Sequence, residues 1–463
     1  MNRRPLKLPF ALALACGFVA HADEPLFEPD RVFVRLQPGA SIASINATYG
    51  TTVRPGDSIP SRNMYLLDLP EGAGESTFVD LLAADPRVLR SDFNFYTIDG
   101  NPNGTTRRMY LSVPPADYDS DATPGVVGVP AAWTQSTGAG AIVAVLDTGV
   151  DSSHPLLAGR VLSGFNFLTN TTGTLETLQN VDTSLNGEFD ELYGHGTLVA
   201  GLVTRLAPDS RVLPVTVMDS DGMATIFRLS QGLFYALDRG AHVANVSMGM
   251  ETDPQLLREV ISEVEAAGLI VVASAGNRAN NNPDYPAGAS NVGLLAITAT
   301  NDADQRAAFS NYGTWVSLSA PGVDIVSPVP GGGYGIASGT SLSAPLVAGG
   351  AALVRSICPL VSSEQIDAIL RTRSTPIDSI NPGFEGQLGT GRLNVAAAVG
   401  VGAPPLTCDC DRNNDRRVTL HDAYLLALQP VDANGDGVAN SQDATDLKNW
   451  LRRGEPRQLL TRP

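Results

Sequence analysis

The chain has 463 residues, 43% hydrophobic and 17% charged, with 31 basic against 48 acidic side chains and a net charge of −17. That length implies two or three folded units, and the composition excludes a disordered polymer. The acidic balance lacks the clustered Lys/Arg that phosphate binding needs, so no nucleic-acid partner is expected; it bears on solubility and not on reaction type.

Taken in chain order, the first 22 residues have the organisation of an export signal. Arg3, Arg4 and Lys7 precede an apolar run that ends at Ala20-His21-Ala22, and the run is too short to span a bilayer. Residues 1–22 are expected to be removed and the protein to be secreted, with no membrane partner. Ala13-Leu14-Ala15 before Cys16 fits a lipidation box poorly. Residues 23–100 read as a small α+β unit. Arg31-Val32-Phe33-Val34-Arg35-Leu36 and Met64-Tyr65-Leu66-Leu67-Asp68-Leu69 alternate as strands do; helical spacing covers 76–84, and a last strand is expected over 88–96. The unit carries no clustered His or Cys. Residues 101–124, rich in Asn, Gly, Pro, Asp and Arg, read as an exposed linker.

From 125 to 400 the pattern becomes strands alternating with helices. Ala141-Ile142-Val143-Ala144-Val145-Leu146 is continuously apolar, as a parallel strand covered on both faces must be. Further runs follow at 212–217, 242–248, 269–273, 293–298 and 323–326, with amphipathic helices between them. These features predict a doubly wound α/β domain with a mostly parallel sheet, in which functional side chains sit at the carboxyl ends of strands. That rule selects Asp147 after the first strand, Asn277 after Ala273-Ser274-Ala275-Gly276, and His195 at the head of an apolar helix. It also selects Ser341, in Ser338-Gly339-Thr340-Ser341, delivered to the start of a helix with no charge until Arg355. Pro345 is read in that helix's first turn, where its missing N–H breaks no bond. Alone, Ser341 would be an N-cap. Together, the four residues supply a nucleophile, a base to take its proton, an anion to orient the base and an amide donor for an oxyanion. His154 and His242 are read as structural.

The order Asp…His…Ser, with the blocks Asp147-Thr148-Gly149, His195-Gly196-Thr197, Ser274-Ala275-Gly276-Asn277 and Gly339-Thr340-Ser341, resembles the subtilisin-like serine proteases (subtilases, peptidase family S8). Pro130-Ala131-Ala132-Trp133, Phe309-Ser310-Asn311-Tyr312-Gly313 and Gly391-Arg392-Leu393-Asn394 add to it. The resemblance implies a secreted endopeptidase acting on protein and peptide substrates. In it Asp147 orients, His195 is base then acid, Ser341 attacks, and Asn277 binds the oxyanion. It further implies substrate-binding edges at Ser247-Met248-Gly249 and Gly222-Met223-Ala224, where a peptide adds as a strand. Residues 23–100 would be a propeptide, the chain's own intramolecular inhibitor, cut between Tyr96 and Arg108. The family's calcium loop after the His helix is not expected, because the helix runs directly into Ala207-Pro208-Asp209-Ser210; Leu198 replaces a His or Met.

After a linker at 401–407, residues 408–463 carry a duplicated pattern. Asp411, Asn413, Asp415, Arg417 (through its carbonyl), Thr419 and Asp422 occupy the positions of a calcium loop. Asp432, Asn434, Asp436, Val438 (carbonyl), Asn440 and Asp443 repeat them. Hard oxygen donors at this spacing suit Ca²⁺; Arg416 replaces the usual glycine of the first loop. The repeat resembles a dockerin, which implies a cohesin-like partner. Of the four cysteines, Cys358 could pair with Cys408 or with Cys410. Competing readings are weaker. An aspartic protease needs two Asp-Thr-Gly blocks on a β fold, an α/β-hydrolase needs Gly-x-Ser-x-Gly, and an inactive scaffold need not keep all four site residues.

Overall fold

A computed structural model describes residues 27–98, 110–184, 187–289, 293–403 and 441–453. The export signal and the calcium-loop repeats lie outside them, except that Asp443 belongs to a terminal helix, Ser441–Arg453.

The N-terminal unit contains β1 (Phe27–Leu36), α1 (Ile42–Tyr49), β2 (Ser58–Ile59), β3 (Met64–Asp68), α2 (Glu75–Ala83) and β4 (Val88–Ile98). The alternation in β1 places Val32 and Val34 on a small core with Ile45, Leu67 and Leu82, while Phe33 on the opposite face joins the large core. Helix α1 was not foreseen: one buried side chain, Ile45, gives it too weak an apolar stripe.

The stretch expected to be a linker holds elements in its described part: β5 (Leu111–Val113), α3 (Pro115–Ser120) and α4 (Thr123–Val126), followed by α5 (Val129–Ala132). Asn- and Asp-rich composition hid β5 because that strand is exposed and borrows its pairing from residues more than two hundred positions away.

The large domain continues with β6 (Ile142–Asp147), β7 (Phe165–Asn166), β8 (Thr171–Thr172), α6 (His195–Leu206), β9 (Arg211–Thr216), β10 (Met223–Thr225) and α7 (Ile226–Asp238). It then runs through β11 (Val243–Val246), α8 (Gln255–Ala266), β12 (Ile270–Ser274), β13 (Leu294–Thr300) and β14 (Leu318–Pro321). Last come β15 (Ile325–Val329), β16 (Gly333–Ala337), α9 (Thr340–Ile357), α10 (Ser363–Thr372) and α11 (Val395–Ala398). The main sheet has the order β14-β13-β12-β11-β6-β9-β7-β8, parallel throughout except for β8. The chain leaves β6 to β9 on one side and returns to β11 on the other, so the crevice at the carboxyl ends opens beside β6.

Two expectations change. The run at 323–326 leads into β15, part of an antiparallel sheet with β16 and β5; β14 extends the parallel sheet instead. Apolar content alone does not reveal which strand pairs with which. Pro345 is the sixth residue of α9 rather than a first-turn residue. Its missing N–H leaves the Ser341 carbonyl without an intrahelical donor, and Ser247 Oγ donates to that carbonyl at 2.9 Å. His242 is half-buried just before β11, accepting the Ile142 N–H on Nδ1 at 3.0 Å. His154 is buried, with Nε2 2.9 Å from the Gly333 carbonyl. Cys358 is buried and disulfide-bonded; Cys408 and Cys410 fall outside the described residues. Among the described residues no helix is long and apolar enough to cross a membrane.

Helix α6 is held by close packing. A Cβ on Gly201 would overlap Ser327 Oγ and Pro328 Cδ of β15, and that Ser327 hydroxyl already donates to Leu198 O at 2.7 Å. Gly201→Ala should therefore destabilise the domain by about 1–3 kcal/mol, read as a lower urea midpoint at unchanged m-value. An unchanged midpoint would contradict the packing.

Candidate active site

The four selected residues converge on one edge of the sheet. Asp147 ends β6, Ser247 follows β11 and Asn277 follows β12, three neighbouring parallel strands. Helix α6 runs back from this edge to enter β9, so His195 at its head lies there too, and α9 packs against α6 with Ser341 in its first turn.

Asp147 and His195 are fully buried. His195 Nδ1 lies 2.7 Å from Asp147 Oδ1 and 2.9 Å from Oδ2. The carboxylate also accepts the Thr148 N–H at 2.8 Å. The contact is close because residue 196 is glycine: a Cβ there would overlap the Gly149 carbonyl. This arrangement fixes one ring nitrogen of the imidazole and keeps the carboxylate out of bulk water.

Asn277 is aimed by Thr340. Its Oδ1 accepts both the Thr340 N–H and hydroxyl at 2.9 Å, so the amide Nδ2 points the other way, as a donor. A Cβ on Gly339 would lie 3.0 Å from Ser341 Oγ and 3.7 Å from Asn277 Nδ2, which puts hydroxyl and amide on the same small space. The head of α9 adds its own N–H groups and dipole there.

Two residues that the sequence did not single out support this set. Glu176 is buried in the loop before α6, where its carboxylate accepts from Gly194 N–H at 2.7 Å, Thr197 N–H at 3.2 Å, Thr197 Oγ1 at 2.6 Å and the Thr148 hydroxyl. Burial pushes its carboxyl up to about 7, the donors pulling the other way and the Asp147 charge adding to the rise. Asp284, pushed up to about 6 by burial, pairs with Arg278 behind Gly249 and Gly276. Neither belongs to a periodic element, so no pattern marked them. Among the described residues no group of three or more His, Cys, Asp or Glu could hold a metal.

Of the two expected groove edges, β10 is paired. Met223, Ala224 and Thr225 lie antiparallel to Ile98, Thr97 and Tyr96 of β4, and Thr97 Oγ1 reaches Met248 Sδ at 3.4 Å. The end of the N-terminal unit thus touches both Met223–Thr225 and the Ser247-Met248-Gly249 segment; Gly222 sits at the turn into β10. Behind it, the Asp92 carboxylate lies by the Gln255 and Leu256 N–H groups at the head of α8, whose own N-cap is Pro254. Asn94 Oδ1 accepts the Phe227 N–H at the head of α7 at 3.1 Å. Arg35 and Arg62 pair with Glu263, Arg90 with Glu259, and Asp57 with Arg228, each at 2.8 Å. Phe33 and Phe227 stack edge to face at 5.1 Å.

If Asn277 Nδ2 is the oxyanion donor, Asn277→Ala should lower kcat by about 10²–10³-fold with little change in KM on a peptide ester. A loss confined to KM would remove that role.

Residues 138–402 match the model of the subtilase family. The chain is 39% identical over 280 residues to a thermophilic serine proteinase of Bacillus sp. (strain AK1), a match covering 60% of this chain and 66% of that one. It is 37% identical over 243 residues to thermitase of Thermoactinomyces vulgaris, covering 50% and 81%, and 35% identical over 282 residues to subtilisin BL of Lederbergia lenta, covering 59% and 96%. Among solved structures it is similar in fold to fervidolysin from Fervidobacterium pennivorans, with a TM-score of 0.66 at 22% identity over 82% of this chain and 62% of that one. A Pseudoalteromonas arctica protease aligns with a TM-score of 0.56 at 25% identity, over 62% and 98%. With strand-end geometry and family model agreeing over the same residues, the chain belongs to the subtilase family of serine proteases.

Proposed function

We propose that the chain is an exported zymogen of a serine endopeptidase, inhibited by its own N-terminal unit and activated by its own cut. The observation that carries this reading is the antiparallel pairing of β4 with β10, which occupies the edge a substrate strand would use. In the reaction Ser341 Oγ attacks the peptide carbonyl carbon as His195 Nε2 takes its proton, while the Asp147 carboxylate stabilises the imidazolium. The carbonyl oxygen becomes an anion facing Asn277 Nδ2 and the N–H groups at the head of α9. The C–N bond then breaks, His195 returns the proton to the leaving amine, and water hydrolyses the acyl-serine by the same relay in reverse.

The inactive-scaffold alternative has nothing comparable in its favour, since it gives no reason for Asp147, His195, Asn277 and Ser341 to meet. Intact mass and N-terminal sequencing decide between them. Wild type is expected to shorten between Tyr96 and Arg108, while Ser341→Ala keeps its N-terminal unit. If both retain it and neither cleaves an unfolded protein, the scaffold reading prevails.

The C-terminal repeat supports a calcium-dependent docking module for a cohesin-like protein. Its donor set, carboxylates and amides with one backbone carbonyl per loop, fits a hard divalent cation, and bound Ca²⁺ would supply the charge that holds each acidic loop folded. A chelator should therefore expose the segment after residue 403 to an added protease before Ser341 loses its reactivity toward a fluorophosphonate. Simultaneous loss would place the calcium dependence in the catalytic domain instead.

A further inference from the structure

Glu176 is a buried carboxylate that the reaction above does not use. Its cage consists of four donors: two backbone N–H groups from the first turn of α6 and its cap, and two threonine hydroxyls. Both hydroxyls are already committed as acceptors on their other side. Thr197 Oγ1 accepts the Asp151 N–H at 2.9 Å, and Thr148 Oγ1 accepts the Gly196 N–H at 3.0 Å. Each therefore directs its single proton at Glu176, and the cage fits an anion.

The Thr148 hydroxyl has a second acceptor within reach. Asp147 Oδ1 lies 3.2 Å away, but one proton cannot serve both carboxylates. While Glu176 takes it, the Asp147 oxygens keep their strongest interaction for His195 Nδ1. Without Glu176 the hydroxyl would turn to Asp147, stabilise that carboxylate independently of the imidazole and weaken its hold on the imidazolium.

We propose that Glu176 is a positioning residue of the hydrolytic reaction, one that aims the Thr148 hydroxyl away from Asp147, pins the first turn of α6 and thereby raises the proton affinity of His195. The proposal rests on the serine-protease reading of Asp147, His195 and Ser341. The titratable group facing Glu176 is Asp147, at the end of β6; His195 follows Gly194, whose N–H Glu176 accepts. Asp151, whose amide reaches Thr197, turns its carboxylate to Ser153 and to the Gly331 N–H.

The test is the second-order rate of Ser341 labelling by a fluorophosphonate, measured across pH on the purified enzyme, which needs no knowledge of the substrate. Labelling that is absent in wild type would overturn the serine-protease reading, and this proposal with it. With labelling present, Glu176→Leu, which leaves the Thr148 hydroxyl no carboxylate but Asp147, should move the acid limb down by about one pH unit, because His195 then holds its proton less tightly. Glu176→Gln, whose amide oxygen can still accept the Thr148 proton, should leave the limb near its wild-type position even if it lowers the melting temperature. Should the Leu variant not fold, Glu176→Met serves in its place, with the same shift expected. A purely structural role would lower the labelled fraction or the stability at every pH and leave the limb where it is. That result in Glu176→Leu, or in Glu176→Met where it stands in, would overturn the proposal.

Discussion

The arrangement depends on keeping one ion dry. Asp147 has no exposed surface, and moving a carboxylate from water to such a site costs several kcal/mol unless partners replace its hydration. The partners are the Thr148 N–H and the imidazole of His195, and both must come very close. That closeness accounts for a glycine in one of the sequence blocks. At residue 196, the first turn of α6 runs so near the end of β6 that a side chain would overlap the Gly149 carbonyl and crowd the Asp147 side chain. The block spelling is thus the trace of a packing constraint, and the helix that satisfies it delivers the base.

How much of this was legible follows from the same constraint. Asp147, His195, Asn277 and Ser341 were found because each sits where a strand ends or a helix begins, and apolar runs mark those points directly. Glu176 could not be found that way. It lies in a loop with no repeating pattern, and its relation to Thr148 and Thr197 exists only once the loop folds under α6. Strand partners were equally hidden. The run at 323–326 has the composition of a parallel strand, yet it pairs antiparallel with β16, because pairing depends on where the intervening turn at Gly331 and Gly332 sends the chain. The apolar run suggests Pro345 in the first turn of α9, whereas it sits one turn later. The carbonyl that Pro345 leaves open there is that of Ser341, and Ser247 donates to it from the end of β11.

The N-terminal unit meets the large domain where that domain's own secondary structure is incomplete. Helix α8 begins after Pro254, which has no side-chain oxygen to cap it, and the Asp92 carboxylate lies by its first N–H groups from across the interface. Helix α7 has its own cap in Thr225 but still takes a bond from Asn94. The half-buried rim of α8 carries Glu259 and Glu263, and the opposing strands carry Arg35 and Arg90, joined by Arg62 just before β3. Surface ion pairs of this kind contribute about 0–1 kcal/mol each and weaken with salt. They set register more than strength.

Strength comes from Phe33, Ile59, Met64 and Leu66, which join the large core, and from connectivity. A pairing three residues long between β4 and β10 would bind weakly between separate molecules, but within one chain it forms at a high effective concentration. Cutting the connection would not remove any contact. It would convert the same contacts into a bimolecular complex, whose occupancy then falls with dilution and with salt, so the ion pairs that matter little in the intact chain would matter most after the cut. A single covalent event can therefore turn a stable clamp into a dissociable one without any rearrangement of Asp147, His195 or Ser341.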